Sequence, residues 1–350
     1  MKNHNLDIRE RMLPAPKNGG FRMEGYWIWC GSVIKAEDKK YHMFASRWKK
    51  DQSMHPGWLL GSEIVRAVSD TPEGPYSYAE TVLPARGPQY WDGRATHNPR
   101  IIKHKDTYYL YYTGITHPFD NVKEGETAEA DDKRVIAARA SKRIGVATAK
   151  SILGPWKRLD YPVLSVRPDK FDNFLVSNPA PVMEDNGSVW MMYKARGYKA
   201  PPYIGELHGP MTIGLARAEK CEGPFVQLLE KALFTTDKIS IEDPFVWKEN
   251  GYYEMIAKDM TGKICGEKYG GVHGFSKDGI HWDILKGELA FSRTILWDNG
   301  EYQTMGNMDR PYILFEAGKP ICMFFAVSNG TDSFYDATET WNMAVPLKQD

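Results

Sequence analysis

Residues 98–112 read NPRIIKHKDTYYLYY, and this pattern of a proline-led apolar start, a polar turn and an aromatic run decides the fold. Both halves are typical of β-strands, because branched and aromatic side chains favour strands and polar turn residues separate them. Four further copies occupy 31–44 (GSVIKAEDKKYHMF), 178–193 (NPAPVMEDNGSVWMMY), 243–255 (DPFVWKENGYYEM) and 310–325 (RPYILFEAGKPICMFF). The copies predict five antiparallel strand pairs that recur roughly every 65 to 80 residues.

A second pattern follows most copies, a strand of small residues that ends in a Gly-Pro-aromatic turn. It ends at 74–76 (GPY), 154–156 (GPW) and 223–225 (GPF), and 279–282 (GIHW) replaces it in the fourth copy. The two patterns together form a four-stranded unit, so the 350 residues predict an all-β, five-bladed β-propeller with inserted loops in blades two and three. The predicted blades cover residues 25–85, 95–165, 175–232, 240–292 and 306–347.

The domain organisation follows from the repeat, which leaves no boundary inside it. Residues 1–24 predict an N-terminal arm, and residues 25–350 predict one propeller domain. Residues 122–141, with a helical turn or two, and residues 200–210 interrupt blades two and three between their second and third strands. Insertions at matching points fall on one face, often the binding face, so we expect them to narrow the channel to a pocket.

Composition excludes several classes of protein. Forty-five basic and 45 acidic residues cancel, which argues against a nucleic-acid binder. The four cysteines form no Cys-x-x-Cys pair, which favours reduced core thiols. No apolar run is long enough for a membrane span, and the first residues lack a signal-peptide pattern. The sequence as printed predicts a cytoplasmic protein, and a trimmed leader would instead place it in the periplasm or outside the cell.

The residues just before each innermost strand of a propeller converge on the central axis, even when they are far apart in sequence. The predicted axial residues are 24–30 in blade one, which include Trp29, and 96–98 in blade two, which include His97 and Asn98. They continue with Ser177 and Asn178 in blade three, Glu242 and Asp243 in blade four, and Asp309 and Arg310 in blade five. We expect His97, Asn98, Asn178 and Arg310 to hold the hydroxyl groups of a ligand. Trp29 is a candidate stacking platform.

Besides Glu24, three of the axial residues are carboxylates, namely Glu242, Asp243 and Asp309. Paired carboxylates can carry out acid and base chemistry. Burial beside a second carboxylate raises the pKa of one member and separates the two roles. Neighbours on a strand alternate in direction, so one of Glu242 and Asp243 faces the axis and the other braces the turn. We favour Glu242 as the inward residue, opposite Asp309 on the next inner strand.

Further candidates lie on other strands. Lys194 and Lys258 end second strands and either contact an acidic ligand or hold the catalytic acids ionised. His273 lies among small residues in blade four, where it is either a strand residue or a proton donor. His97 is either a ligand-binding residue or a ligand to a structural cation, for example calcium, in the channel. No cofactor is required by the pattern.

The segments 96–99 (THNP), 108–112 (YYLYY), 144–147 (IGVA), 242–247 (EDPFVW) and 309–311 (DRP) together resemble the five-bladed glycoside hydrolases of family 43 and family 117. The resemblance covers nearly all of the chain from about residue 25. It implies three axial acids, namely a base, a carboxylate that tunes the pKa of its neighbour, and a general acid. In family 117 a histidine has been considered for the role of general acid, so the resemblance keeps His273 as a candidate proton donor.

The chain departs from family 43 in blade one. There an Asp-Pro supplies the base, whereas the matching residues 29–32 read WCGS. Glu24 and Asp92 are two alternative replacements. Because the blade-one carboxylate is missing, the sequence leaves open whether the chain uses the inverting mechanism and whether it hydrolyses a substrate at all.

The resemblance implies a glycosidase that acts on the terminal sugar of a plant or algal oligosaccharide, with catalytic residues among Glu242, Asp243, Asp309 and His273. The alternatives are a non-catalytic sugar-binding propeller and a phosphorylase or transglycosylase, which would need a phosphate site near Lys194, Lys258 or Arg310. The expected partner is an oligosaccharide, with no nucleic acid and no membrane, and a homodimer is compatible with the sequence.

Overall fold

The computed structural model describes residues 8–123, 125–199, 207–234 and 240–349. Four antiparallel sheets of four strands, and a fifth sheet of three strands, follow one another along the chain. In each sheet the strands pair in sequence order, so every sheet is a meander whose first strand lies innermost. The prediction of a five-bladed β-propeller is confirmed.

The strand bounds are close to those that the repeat predicts. Blade one contains β1 (Tyr26–Lys35), β2 (Tyr41–Lys49), β3 (Glu63–Ser69) and β4 (Ser77–Leu83). Blade two contains β5 (Ala95–His104), β6 (Thr107–Ile115), β7 (Arg143–Ala149) and β8 (Lys157–Arg158). Blade three contains β9 (Leu175–Met183), β10 (Val189–Arg196), β11 (Thr212–Ala218) and β12 (Val226–Gln227).

Blade four contains β13 (Ile241–Glu249), β14 (Tyr252–Asp259), β15 (Gly271–Ser276) and β16 (Asp283–Ile284). A hairpin of β17 (Thr294–Leu296) and β18 (Tyr302–Thr304) leads into blade five. Blade five contains β19 (Asn307–Glu316), β20 (Lys319–Ser328) and β21 (Thr340–Pro346).

Three short helices accompany the strands in the described ranges: α1 (Ile8–Arg11), α2 (Trp58–Gly61) and α3 (Lys133–Ala140). Helix α3 lies between β6 and β7, within the segment where the sequence predicts helical turns. Helix α2 lies at the same point of blade one and packs against α3. The sequence did not predict α2. Most of the segment predicted to interrupt blade three, residues 200–206, lies outside the described residues. None of the three helices is long and apolar enough to cross a membrane.

The hydrophobic core is divided among the blades. Each of five clusters of buried apolar side chains lies between two neighbouring blades, as Tyr111 and Met191 do between blades two and three. This arrangement explains why each strand carries apolar residues on both faces. The four cysteines are buried and unpaired, as the sequence predicts.

The described part of the N-terminal arm completes blade five. Leu13 N donates to Pro346 O at 2.9 Å, and Phe21 exchanges backbone hydrogen bonds with Asn342. The arm therefore occupies the outer edge of the only blade that lacks a fourth strand of its own among the residues described. Ile8 and Phe21 are fully buried there, so the arm belongs to the core of the propeller.

Candidate active site

Each innermost strand is interrupted at the same point by a residue with left-handed backbone. These residues are Cys30, Asn98, Asn178, Asp243 and Arg310, with φ values of 58°, 55°, 54°, 58° and 56°. The pairing register shifts at all five positions. A left-handed residue at a bulge re-aims the side chain, and here it turns all five towards the axis. The Asn-Pro, Asp-Pro and Arg-Pro pairs of the sequence repeat mark four of these bulges.

The five side chains form a ring around the axis, which we call the axial ring. Cys30 Sγ donates to Asn98 Oδ1 at 2.6 Å, and Asn98 Nδ2 donates to Asn178 Oδ1. Asn178 Nδ2 donates to Asp243 Oδ1 at 2.7 Å, and the backbone N of Arg310 donates to Asp243 Oδ2 at 3.2 Å. All five residues are buried. Asp243 is thus fixed between neighbouring blades and braces the turn.

The candidate acids lie beside this ring, around one lysine. Lys258 Nζ is 3.1 Å from Glu242 Oε2, 2.8 Å from Asp309 Oδ2 and 3.9 Å from Asp243 Oδ2. Lys194 forms a second ion pair with Glu242. The structure therefore brings together five of the residues that the sequence singles out, with Asp243 in the axial ring and Glu242 beside it on Lys194 and Lys258.

The two carboxylates differ in their electrostatic environment. Burial alone would raise the pKa of Glu242, but the charges of Lys194 and Lys258 outweigh burial and hold that pKa well below its ordinary value. Burial raises the pKa of Asp309 to about 6, because the single charge of Lys258 does not offset it and Asp243 and Glu242 add to the shift. Near pH 6, Glu242 is ionised and Asp309 is partly protonated. One acid and one carboxylate are the pair that glycosidic-bond cleavage needs.

The spacing of the pair is short. Glu242 Oε2 and Asp309 Oδ2 contact the same nitrogen atom, so they are less than about 6 Å apart. Carboxyl groups are about 5–5.5 Å apart in retaining glycosidases and about 6.5–9.5 Å apart in inverting ones. The distance between these two nearest oxygen atoms is closer to the retaining value than to the inverting one.

An aromatic and basic wall stands next to the acids. His97 Nδ1 is 2.8 Å from Ser62 Oγ, and the His97 ring stacks on Trp58 with the centroids 4.6 Å apart. Lys142 Nζ lies 5.1 Å from the centre of the Trp58 ring. Trp58 is half-buried, whereas Lys142 is only 4% exposed and forms no ion pair with any residue described.

Lys142 and Trp58 were not predicted from the sequence. Both belong to segments that connect second and third strands, and Lys142 directly precedes β7. The rule that insertions cover the binding face would have pointed close to Lys142, since it directly follows the predicted insertion of blade two, residues 122–141. No comparable signal marks Trp58, because the blade-one segment is short and rich in ordinary turn residues.

Three predicted site residues contact side chains other than the acids around Lys258. His273 Nε2 is 2.6 Å from Glu254 Oε2, and its ring stacks on Trp247. Trp29 directly precedes the bulge residue Cys30, is buried, and packs edge-on against Phe334 in the hydrophobic cluster that also contacts Trp58. These contacts explain His273 as part of the packing of blade four, and they place Trp29 beside the aromatic wall.

Asp92 is the third of these residues. It is fully buried, and it accepts hydrogen bonds from Arg86 at 2.6 Å and from Tyr112 at 2.7 Å. Glu24, the other replacement considered for the blade-one base, is exposed in a turn. The blade-one position of the axial ring is held by Cys30, and burial raises the pKa of its thiol far above neutrality. Cys30 cannot serve as a base at ordinary pH.

A cation site near His97 finds no direct support in the side chains that the structure describes. They contain no group of three or more His, Cys, Asp and Glu residues arranged to hold a metal ion.

Comparison with known proteins supports the interpretation of the fold and identifies the family. The sequence profile of glycosyl hydrolases family 43 matches residues 78–279, which is more than half of the chain. No curated protein sequence matches the chain.

Solved structures match the fold over nearly its whole length. A family 117 glycoside hydrolase produced by the marine bacterium Zobellia galactanivorans matches at 16% identity and a TM-score of 0.61, covering 96% of this chain and 89% of that one. A family 43 enzyme from Xanthomonas citri complexed with xylotriose matches at 14% identity and a TM-score of 0.57, and the match covers 97% of this chain and 92% of that one. An α-L-arabinanase mutant from Cellvibrio cellulosa matches at 15% identity and a TM-score of 0.53, and the match covers 97% of this chain and 93% of that one.

Proposed function

This chain belongs to glycosyl hydrolase family 43 and is a glycoside hydrolase, and we propose that it removes a terminal sugar from a plant or algal oligosaccharide. The observation that carries the proposal is the pair of carboxylates on Lys258, of which Glu242 is held ionised and Asp309 has a raised pKa. Membership in a hydrolase family favours catalysis over the non-catalytic sugar-binding alternative.

The two carboxylates have separate roles in the proposed reaction. Asp309 donates its proton to the glycosidic oxygen while the bond from that oxygen to the anomeric carbon breaks. Glu242, which is too weak a base to activate water well, attacks the anomeric carbon and forms a glycosyl ester. Water then attacks the same carbon, its proton passes to Asp309, and Glu242 leaves as a carboxylate. The configuration at the anomeric carbon is retained.

The remaining axial residues have supporting roles. Lys258 and Lys194 hold Glu242 ionised and in place. Asp243 and Arg310 fix the bulges on which Glu242 and Asp309 stand. His273 contacts Glu254, so the proposed mechanism does not use it as the proton donor.

The exo mode of action is inferred from the loops around the acids. Helices α2 and α3 pack against each other beside the inner strand β5, and Trp58 forms a partly exposed ring face there. Such a wall closes one side of the axial mouth and favours a chain end over the middle of a polysaccharide. The xylotriose complex and the arabinanase among the structural neighbours agree with an oligosaccharide substrate.

A phosphorylase is the second candidate. Lys194 and Lys258 each pair with carboxylates and are not free to bind phosphate, whereas Arg310 contacts Asp243 through Nη1 alone. Lys142 is a further buried basic residue near Glu242. Turnover that requires phosphate and yields a sugar phosphate would favour this candidate.

The experiment is a screen of plant and algal oligosaccharides with and without phosphate, with the products followed by proton NMR from the first minutes. We expect a free monosaccharide from the chain end, with retained configuration and no dependence on phosphate. Internal cleavage products would contradict the exo mode, and an inverted first product would contradict the role of Glu242.

A further inference from the structure

A cavity of about 280 Å³ lies on the other side of the axial ring from the acids. Its walls are the second halves of the inner strands, and most lining side chains are apolar, including Val33, Phe245, Ile313 and Leu314. Arg100 is the buried charged residue among them. The cavity therefore combines apolar walls with one buried cation, and the other basic lining residue, Lys35, is exposed and pairs with Glu316.

The guanidinium group of Arg100 is only partly bonded. Arg100 is 2% exposed, and its carbon Cζ lies 5.7 Å and 5.3 Å from the ring centres of Phe245 and Tyr312. Nη2 donates to Pro311 O at 3.0 Å. Nε and Nη1 have no acceptor among the residues described, and no carboxylate there forms an ion pair with this side chain. Two buried donors and one buried charge are thus left without a partner.

A second guanidinium group adds to the positive charge of the channel. Arg310 is 1% exposed, and its Nη1 is 3.4 Å from Asp243 Oδ1, but Nε and Nη2 have no acceptor in the described parts of the chain. Burial, and then the charge of Arg310, lower the pKa of Arg100 to about 9. Arg100 remains a cation at neutral pH.

Buried polar groups are nearly always hydrogen-bonded, and a buried charge without a counter-charge is among the most destabilising features of a protein. Arg100 lines the cavity with two N–H-bearing atoms that have no acceptor among the residues described, and Arg310, whose charge acts on Arg100, has two more. Such buried donors call for an acceptor with negative charge. We propose that the channel binds a small monovalent anion such as chloride, held by Nε and Nη1 of Arg100.

A monovalent anion fits this place better than sulfate or phosphate. Arg100 offers two free donors, whereas a dianion needs several donors or cations to replace its water. The anion would neutralise Arg100 and so reinforce the junction of blades two and five, which the Arg100–Pro311 contact already joins.

The test is the thermal unfolding temperature in sodium chloride and in sodium gluconate at the same ionic strength. A site of this kind raises the unfolding temperature by about 2 °C for each tenfold rise in chloride above its dissociation constant. The increase should disappear in Arg100→Met. It should persist in Arg22→Met, which removes a more exposed arginine that stacks on Trp341.

Crystals grown with sodium bromide give a second measurement that does not depend on the folding of any variant. We expect an anomalous peak within hydrogen-bond distance of Arg100 Nε and Nη1. Equal unfolding temperatures in chloride and gluconate, or bromide peaks only at the surface, would overturn the proposal. An unchanged chloride effect in Arg100→Met would do the same. Neither measurement involves turnover, so the result does not depend on the proposed function.

Discussion

Asp309 is the residue whose charge state should control the rate. It is protonated below about pH 6 and ionised above, and a general acid works only while it carries its proton. We therefore predict that kcat/KM falls as the pH rises through about 6. In Asp309→Asn this fall should be absent from the residual activity. The pH dependence of kcat/KM from pH 4 to 9 in the wild type and in Asp309→Asn tests both expectations. A wild-type kcat/KM that rises through pH 6 would rule out Asp309 as the general acid.

Lys258 acts through the acids and is a positioning residue. Removing its charge leaves burial and the two other carboxylates to act on Asp309, so the pKa of Asp309 should rise further. In Lys258→Met we expect the falling limb of kcat/KM to move to higher pH, while Lys258→Arg should keep it near its original place. Lys248→Met is a matched control, because Lys248 pairs with Glu184 outside the axial site. A pH profile that is the same in all four proteins would contradict the role.

The residues that the sequence did and did not predict differ in a physical way. Glu242, Asp243 and Asp309 could be placed because the repeat fixes where each inner strand begins. Asp92 also lies near such a position, yet Arg86 and Tyr112 draw it into the core. Those contacts depend on side chains from other strands, which no local pattern contains. Trp58 and Lys142 come together from two connecting segments, so their contact could not be predicted either.

At the scale of elements, the contact between α2 and α3 supplies the wall of the pocket. Trp58 presents a half-buried ring there, and stacking on such a ring contributes about 1 kcal/mol to binding. In Trp58→Ala we expect KM to rise about fivefold, with a much smaller change in kcat. Trp190→Ala is the control, since Trp190 is also half-buried but packs on Tyr253 between blades three and four. An equal effect of both substitutions would argue against a sugar platform at Trp58.

The strands themselves were largely predictable from the sequence, and the inner bulges were not. Pro99, Pro179, Pro244 and Pro311 identify the inner strands, but a proline does not reveal the left-handed residue before it. The axial ring forms because five such residues meet, and its blade-one member, Cys30, has no proline after it.

At the scale of the whole molecule, the propeller is closed by its N-terminal arm. The polar composition of residues 1–24 predicts an arm, but not that Ile8 would be buried in the interface of blades four and five. Ile8→Ala should lower the free energy of unfolding by about 3 kcal/mol, since it leaves a cavity in a packed core. Leu13→Ala, in the same arm but 43% exposed, should change it by less than about 1 kcal/mol. Denaturant unfolding of both variants measures the difference, and equal stabilities would show that the arm does not close the ring.

The most direct test of the proposed chemistry is the turnover number of Glu242→Gln and Asp309→Asn on an oligosaccharide that the wild-type enzyme cleaves. Each should lose about 10²- to 10⁴-fold in kcat. Asp243→Asn should lose less, because Asp243 is part of the axial ring. Glu184→Gln, which also removes a carboxylate paired with a lysine, should turn over normally. Unchanged turnover in Glu242→Gln and Asp309→Asn would show that the carboxylate pair on Lys258 does not carry out the reaction.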